Sequence, residues 1–246
     1  MSRSIRERSS RPPRVLGMGM RTRTKVIIGI AAGVVVVAGA GVVVGPRLYA
    51  DAVNGSAAAA PSLSPSAAGE LDTTHADGTW RSGTGSYAGY RVHEVLQGQD
   101  VTVVGRTKQV EGTATVDGGK LSDATVTVQV GEISTPEAAR DAYFRDKALQ
   151  TDQFPTATFR VTKPVDVSSA LGGSTQSVTL SGDLTMHGVT KTVQADAQVA
   201  VGADGDVQVA GTVPVTFQDY GVTAPSLGFV TVDPKGSVEF SLDLAK

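Results

Sequence analysis

Cysteine is absent from this chain of 246 residues, and histidine occurs three times, at positions 75, 93 and 187. The first absence excludes disulfides, thiolate zinc sites, iron–sulfur clusters and thiol nucleophiles. The second leaves too few imidazoles for a usual metal cluster, so neither metal nor cofactor is expected. Aromatic residues make up only 5% of the chain. Positive charge is scarce in the main body: residues 1–25 hold eight Lys/Arg against one Glu, which leaves 14 Lys/Arg against 23 Asp/Glu for the rest. An acidic body lacks the basic face that nucleic-acid binding requires.

The basic head, residues 1–25, precedes 20 uncharged residues from Val26 to Gly45. At about 1.5 Å per helical residue such a run spans roughly 30 Å, the thickness of a bilayer core. A single transmembrane anchor over 26–45 follows, with residues 1–25 in the cytoplasm by the positive-inside rule and the body outside it. Ala50-Asp51-Ala52 also has the small-x-small spacing of a signal-peptidase site, and cleavage there would release a secreted body. Gly29-Gly33 and Gly41-Gly45 show G-x-x-x-G spacing, but with five Gly among these 20 residues it sets no oligomeric state. Residues 46–78, with Ala57 to Ala60, Pro61 and Pro65, read as a disordered Ala/Ser/Pro-rich tether to a domain over 79–246.

From Trp80 onward the dominant pattern has period two. Ala124, Val126, Val128 and Val130 alternate with polar neighbours, as do Val178, Leu180, Leu184 and Met186, then Val189 to Val201, Val207 to Val215 and Val238 to Leu244. Turn signals separate them at Asp117-Gly118-Gly119, His187-Gly188, Ala203 to Asp206 and Asp233-Pro234-Lys235-Gly236. Short connections make consecutive strands antiparallel. One helix is expected, opening at Ser134-Thr135-Pro136-Glu137 with Ser134 or Thr135 as cap and running to about Leu149, with Asp141 and Arg145 paired on its solvated face. About seven to nine strands with one dry face require a sandwich or a closed barrel. Around eight strands enclose side chains alone or one small ligand.

Four segments in order resemble the YceI-like family of lipid- or polyisoprenoid-binding domains: Gly112 to Val130; Ile133-Ser134-Thr135 leading into Arg140-Asp141; Phe154-Pro155-Thr156-Ala157-Thr158-Phe159; and Gly182 to Lys191. Phe217 to Val222 looks like the segment before that family's last strands. The resemblance implies an all-β, antiparallel, extended, lipocalin-like barrel with a long apolar pocket for an isoprenoid lipid or quinone-like molecule, and it brings no catalytic residues. Ser86 to Val104, with Tyr87, Tyr90 and His93, departs from the family's opening strands.

Strand parity combined with this resemblance nominates the pocket lining: Val126 and Val128; Phe144 and Phe159; Leu180 and Leu184; Val199, Val209 and Val213; Phe217, Phe240 and Leu242. Phe154, Tyr220 and Phe229 could join them or pack loops onto a filled core. Lys191 or Arg160 could meet a pyrophosphate head. His187 reads as an exposed turn residue, and no motif sets a base beside a nucleophile, so an enzyme is not expected. Two functions stay open: a membrane-anchored extracytoplasmic carrier, store or sensor of an isoprenoid chain, and a filled barrel that acts as an interaction module of the cell envelope.

Overall fold

The computed structural model describes residues 45–63, 69–226 and 228–246. Residues 26–44 of the expected anchor lie outside them, and no helix among the described residues is long and apolar enough to cross a membrane.

The strands are β1 (Gly78–Ser82), β2 (Tyr87–Leu96), β3 (Gln99–Thr107), β4 (Val110–Asp117), β5 (Lys120–Gln129), β6 (Thr156–Val161), β7 (Val165–Asp166), β8 (Gln176–Met186), β9 (Val189–Val201), β10 (Val207–Thr216) and β11 (Val230–Ala245). They form one antiparallel sheet in the order β1-β4-β5-β6-β8-β9-β10-β11-β2-β3, with short β7 attached to β5. The sheet closes because β1 pairs on both sides, Arg81 lying opposite Thr113 of β4 and Ala245 of β11. At the other end β2 and β3 extend the wall from β11, and Arg106 bridges to Ser134. The result is the expected all-β antiparallel barrel.

Three hairpins turn on two-residue loops whose residues both have positive φ: Gln97-Gly98, Gly118-Gly119 and His187-Gly188. That conformation matches the strand twist and favours Gly at the second position. Asp233 to Gly236 is not the expected turn. It is a bulge inside β11, where the register against β2 shifts between Val232 and Gly236. Pro234 has no N–H to give a ladder, and a bulge is where a strand tolerates that.

Among the described residues there are four α-helices where one was expected: α1 (Gly45–Ser56), α2 (Thr73–Ala76), α3 (Ala138–Tyr143) and α4 (Ser168–Leu171). α3 starts later than expected because Asp141 accepts hydrogen bonds from Thr135 N (2.9 Å) and Thr135 Oγ1 (2.8 Å), which holds 135–137 in a turn. Asp141 is therefore buried and does not pair with Arg145 on a wet face. The chain then widens into one π-turn, Phe144–Ala148.

The expectation of a disordered tether over 46–78 is corrected for the residues described there. Tyr49, Ala50 and Val53, on one face of α1, pack against Val92, Leu96, Val101, Val103 and Val230. Asn54 acts as one more backbone unit on the edge of β3: its Nδ2 donates to Asp100 O (2.9 Å) and its Oδ1 accepts from Thr102 N (2.8 Å). Beyond α1, the carbonyls of Ala58 and Ala59 accept from Arg91 and Arg106, and both arginines also reach the buried Glu239 carboxylate. Nearer the barrel, Gly69 N donates to Val201 O and Leu71 N to Leu171 O, both at 2.9 Å. An Ala/Ser/Pro composition carries no local trace of such partners, which come from strands far along the chain. Asn54→Ala should lower the unfolding free energy by about 1 kcal/mol in a urea titration, from loss of two exposed hydrogen bonds; an unchanged midpoint would mean that the edge contact is idle.

Candidate functional site

The barrel interior is not filled. Two apolar cavities lie in series, about 130 Å³ in the half around Trp80, Val116, Leu171 and Leu244, and about 150 Å³ in the half around Tyr90, Ile133, Tyr143 and Phe217. Ala88, Val128, Ala157 and Val238 line both and form the waist between them. Apolar cavities of about 150 Å³ in protein interiors stay dry and accept hydrocarbons the size of benzene.

Glycine creates part of this shape. A Cβ at Gly182 would lie 2.4 Å from Phe159 Cζ, and one at Gly211 would lie 2.7 Å from Phe240 Cζ. Both aromatic rings therefore reach over an inward glycine of a neighbouring strand, where a side chain would displace them.

The structure brings the nominated residues together in these two spaces. Val126, Phe159, Leu180, Leu184, Val199, Val209, Val213, Phe240 and Leu242 line the first cavity, Phe144 and Phe217 line the second, and Val128 lines both. Phe154 instead packs edge-on against His187 (4.8 Å), Tyr220 is buried in the core, and Phe229 is exposed. His187 is partly buried and its Nδ1 lies 3.0 Å from Tyr220 O, so it is not the exposed turn residue expected. His93 lies on the outer face, its ring nitrogens each 3.1 Å from a carboxylate, those of Asp100 and Asp233. Lys191 is exposed, and Arg160 lies 3.5 Å from Asp123 on the outside of the barrel.

Sequence reasoning missed the polar end of the second cavity. Glu94 and Arg140 both line it, and Arg140 Nη2 donates to Glu94 Oε1 at 3.1 Å, with side chains 9% and 2% exposed for Arg140 and Glu94. Burial raises the Glu94 carboxyl above its ordinary range, and the Arg140 charge and hydrogen bond pull it back down. Tyr90 stacks on Phe144 (4.9 Å) beside them, its phenol pushed up by burial. The available signal was parity: Ala88, Tyr90, Val92, Glu94 and Leu96 share one face of β2, and a carboxylate on a dry face needs a partner.

Residues 71–244 match the YceI-like domain. A UPF0312 protein of Shewanella denitrificans is 32% identical over 128 residues, 49% of this chain and 64% of that protein. One from Vibrio cholerae is 27% identical over 129 residues, 49% of this chain and 65% of its own length. The chain thus spans between about half and just under two thirds of the length of the curated relatives it matches. Among solved structures, a polyisoprenoid binding domain from Saccharophagus degradans implicated in plant cell wall breakdown superposes with a TM-score of 0.54 at 18% identity, covering 68% of this chain and 97% of that one. With the matched region running from the approach to β1 almost to the end of β11, this chain belongs to the YceI-like family.

Proposed function

We propose that this protein binds an isoprenoid or similar lipid chain lengthwise in its barrel, as a carrier, store or sensor tethered to the outer face of the membrane by residues 26–45. The observation that carries the reading is the pair of cavities in series, apolar but for the Glu94–Arg140 end, with a waist formed by Ala88, Val128, Ala157 and Val238. A compact ligand would need one rounded space, whereas a linear hydrocarbon fills two joined end to end. The polyisoprenoid-binding description of the Saccharophagus degradans neighbour supports the same ligand class.

The anchor reading fits the position of α1. The described residues of this helix start at Gly45, the last of the apolar run, and pack at the end of the barrel that holds the second cavity. A membrane helix continuing into α1 would hold that end beside the lipid. Cleavage at Ala50-Asp51-Ala52 would instead remove Tyr49 and the buried Ala50 from the packed face.

Trp80, the single tryptophan, is 4% exposed and lines the first cavity, so its emission reports on what enters. The full chain, purified in detergent, should release an isoprenoid lipid on solvent extraction and mass spectrometry. Added farnesane, a saturated prenyl hydrocarbon, should shift Trp80 emission. A chain that carries no lipid and whose emission ignores farnesane is not a lipid binder.

A further inference from the structure

The two ends of the cavity pair are shut in different ways. At the far end of the first cavity the stopper belongs to the barrel wall: Trp80 of β1 donates from Nε1 to the buried Ala76 O at 2.9 Å, and Leu244 of β11 packs in the same cluster. Both stand on strands that pair at the seam, so this end is as firm as the barrel itself. The second cavity ends on an added part. Along the inward face of β2, Ala88 stands at the waist, Tyr90, Val92 and Glu94 line the cavity, and Leu96, further along, does not. α1 packs on that face at the level of Val92 and Leu96, with Tyr49 beside Arg140 of α3 and Asn54 hydrogen-bonded to the edge of β3. The helix thus crosses the end of the cavity from α3 to β3, just beyond the lining residues.

Little holds α1 there. Its docked face is one strip, Tyr49, Ala50 and Val53, and Asn54 adds two exposed hydrogen bonds. A helix of 12 residues is marginal by itself in water, and elements with few buried contacts open locally at free energies well below that of global unfolding. Just downstream, Arg91 and Arg106 clasp the carbonyls of Ala58 and Ala59. α1 can therefore lift between this clasp and the proposed anchor without breaking any pairing in the barrel. It also lies upstream of residues 71–244, so the device is no part of what matches the family. We infer that α1 is a lid on the second cavity: docked, it shuts the barrel, and lifted from Val92 and Leu96 it opens the cavity towards the bilayer, so that a prenyl or other alkyl chain enters and leaves by this end. The inference rests on the lipid-binding reading and the anchor proposed above.

Because the chain has no cysteine, a reversible lock can be built into it. Asn54→Cys and Asp100→Cys, both at exposed positions, joined by an ethylene bis-methanethiosulfonate cross-link, would fix α1 to β3, and dithiothreitol would free it. Trp80 emission of the full chain in detergent then follows farnesane entering after mixing and leaving into empty micelles. Locking should slow both rates at least about tenfold and leave the dissociation constant unchanged, since a gate hinders passage equally in both directions. Reduction should restore them. Val53→Ala thins the docked face without altering a lining residue and should speed both rates roughly three- to tenfold. Rates indifferent to the cross-link, a cross-link that changes affinity instead of rates, or a Val53→Ala protein no faster than the parent would overturn the lid and leave the barrel a lipid binder. Failure of the unlocked chain to bind farnesane would remove the lipid reading itself.

Discussion

Replacing Arg140 by leucine should lower the unfolding free energy by about 3–5 kcal/mol near neutral pH, a large part of what holds a domain of this size folded. Arg140 is the only ion-pair partner of Glu94 among the described residues, and both are almost wholly enclosed. Without the guanidinium, the carboxylate would stand alone on an apolar wall, and it would escape by taking up a proton. Burial already raises this carboxyl, and Arg140 is the main influence pulling it down, so the variant's folded value rises further. Between the unfolded and folded values the native state then holds a proton that the unfolded state has released. Stability is therefore greatest below the ordinary carboxylate range and falls as pH rises through that window. Denaturant titrations at pH 5 and pH 8 should show the variant losing more stability across this interval than the parent. Parallel curves for the two proteins would mean that Glu94 is not the group left exposed to the loss. Adding Glu94→Leu should recover most of the loss, since the penalty comes from one unpaired charge and not from lost packing.

Leu180→Trp should abolish lipid uptake while leaving the fold nearly as stable as before. Leu180 points into the first cavity between Val178 and Leu184, and an indole in its place would occupy space that a ligand needs. In a filled interior the same change would cost roughly 1–3 kcal/mol or more through overpacking. Here the cavity of about 130 Å³ takes up the extra volume, so the midpoint of denaturation should move little, whereas farnesane binding drops at least about tenfold, the loss expected from displacing a few buried methylenes. Thr179→Trp, on the exposed face of the same strand, should do neither. Loss of binding in the Thr179 variant alone would mean that the lining of β8 is assigned to the wrong face.

What the sequence made legible follows from how local each determinant is. β8 and β9 alternate over most of their length and meet at His187-Gly188, so parity points Leu180, Leu184 and Val199 inward, where the structure has them. The same reasoning extends to Val209, Val213 and Leu242, whose strands pair in sequence order. It stopped at β2 and β3, whose turn, Gln97-Gly98, lacks the usual Asn or Asp in its first position. It also stopped at the bulge in β11, because Asp-Pro-Lys-Gly has turn chemistry and only the pairing of β11 with β10 keeps it in a strand. The ordering of α1 and of residues 57–59 was out of reach for another reason. Arg91, Arg106 and Glu239 stand on the outer face of three strands, and each reads as ordinary surface charge until the fold sets them together under the Ala-rich segment.

Closure of the cylinder by β1 carries a kinetic consequence. The hairpins from β4 to β10 can zip together in sequence, each nucleating on its neighbour, but the seam joins Arg81 to Ala245 and Ala88 to Phe240. Such distant pairings must overcome a large loop-closure entropy before they return any free energy, and topologies dominated by them fold in milliseconds to seconds. Until β11 is in place, the inward faces of β5, β8 and β9 are one side of an open trough. The hydrophobic volume of the barrel is thus created at the end of folding, with the strand that completes the ladder also serving as the final wall around whatever the trough then holds.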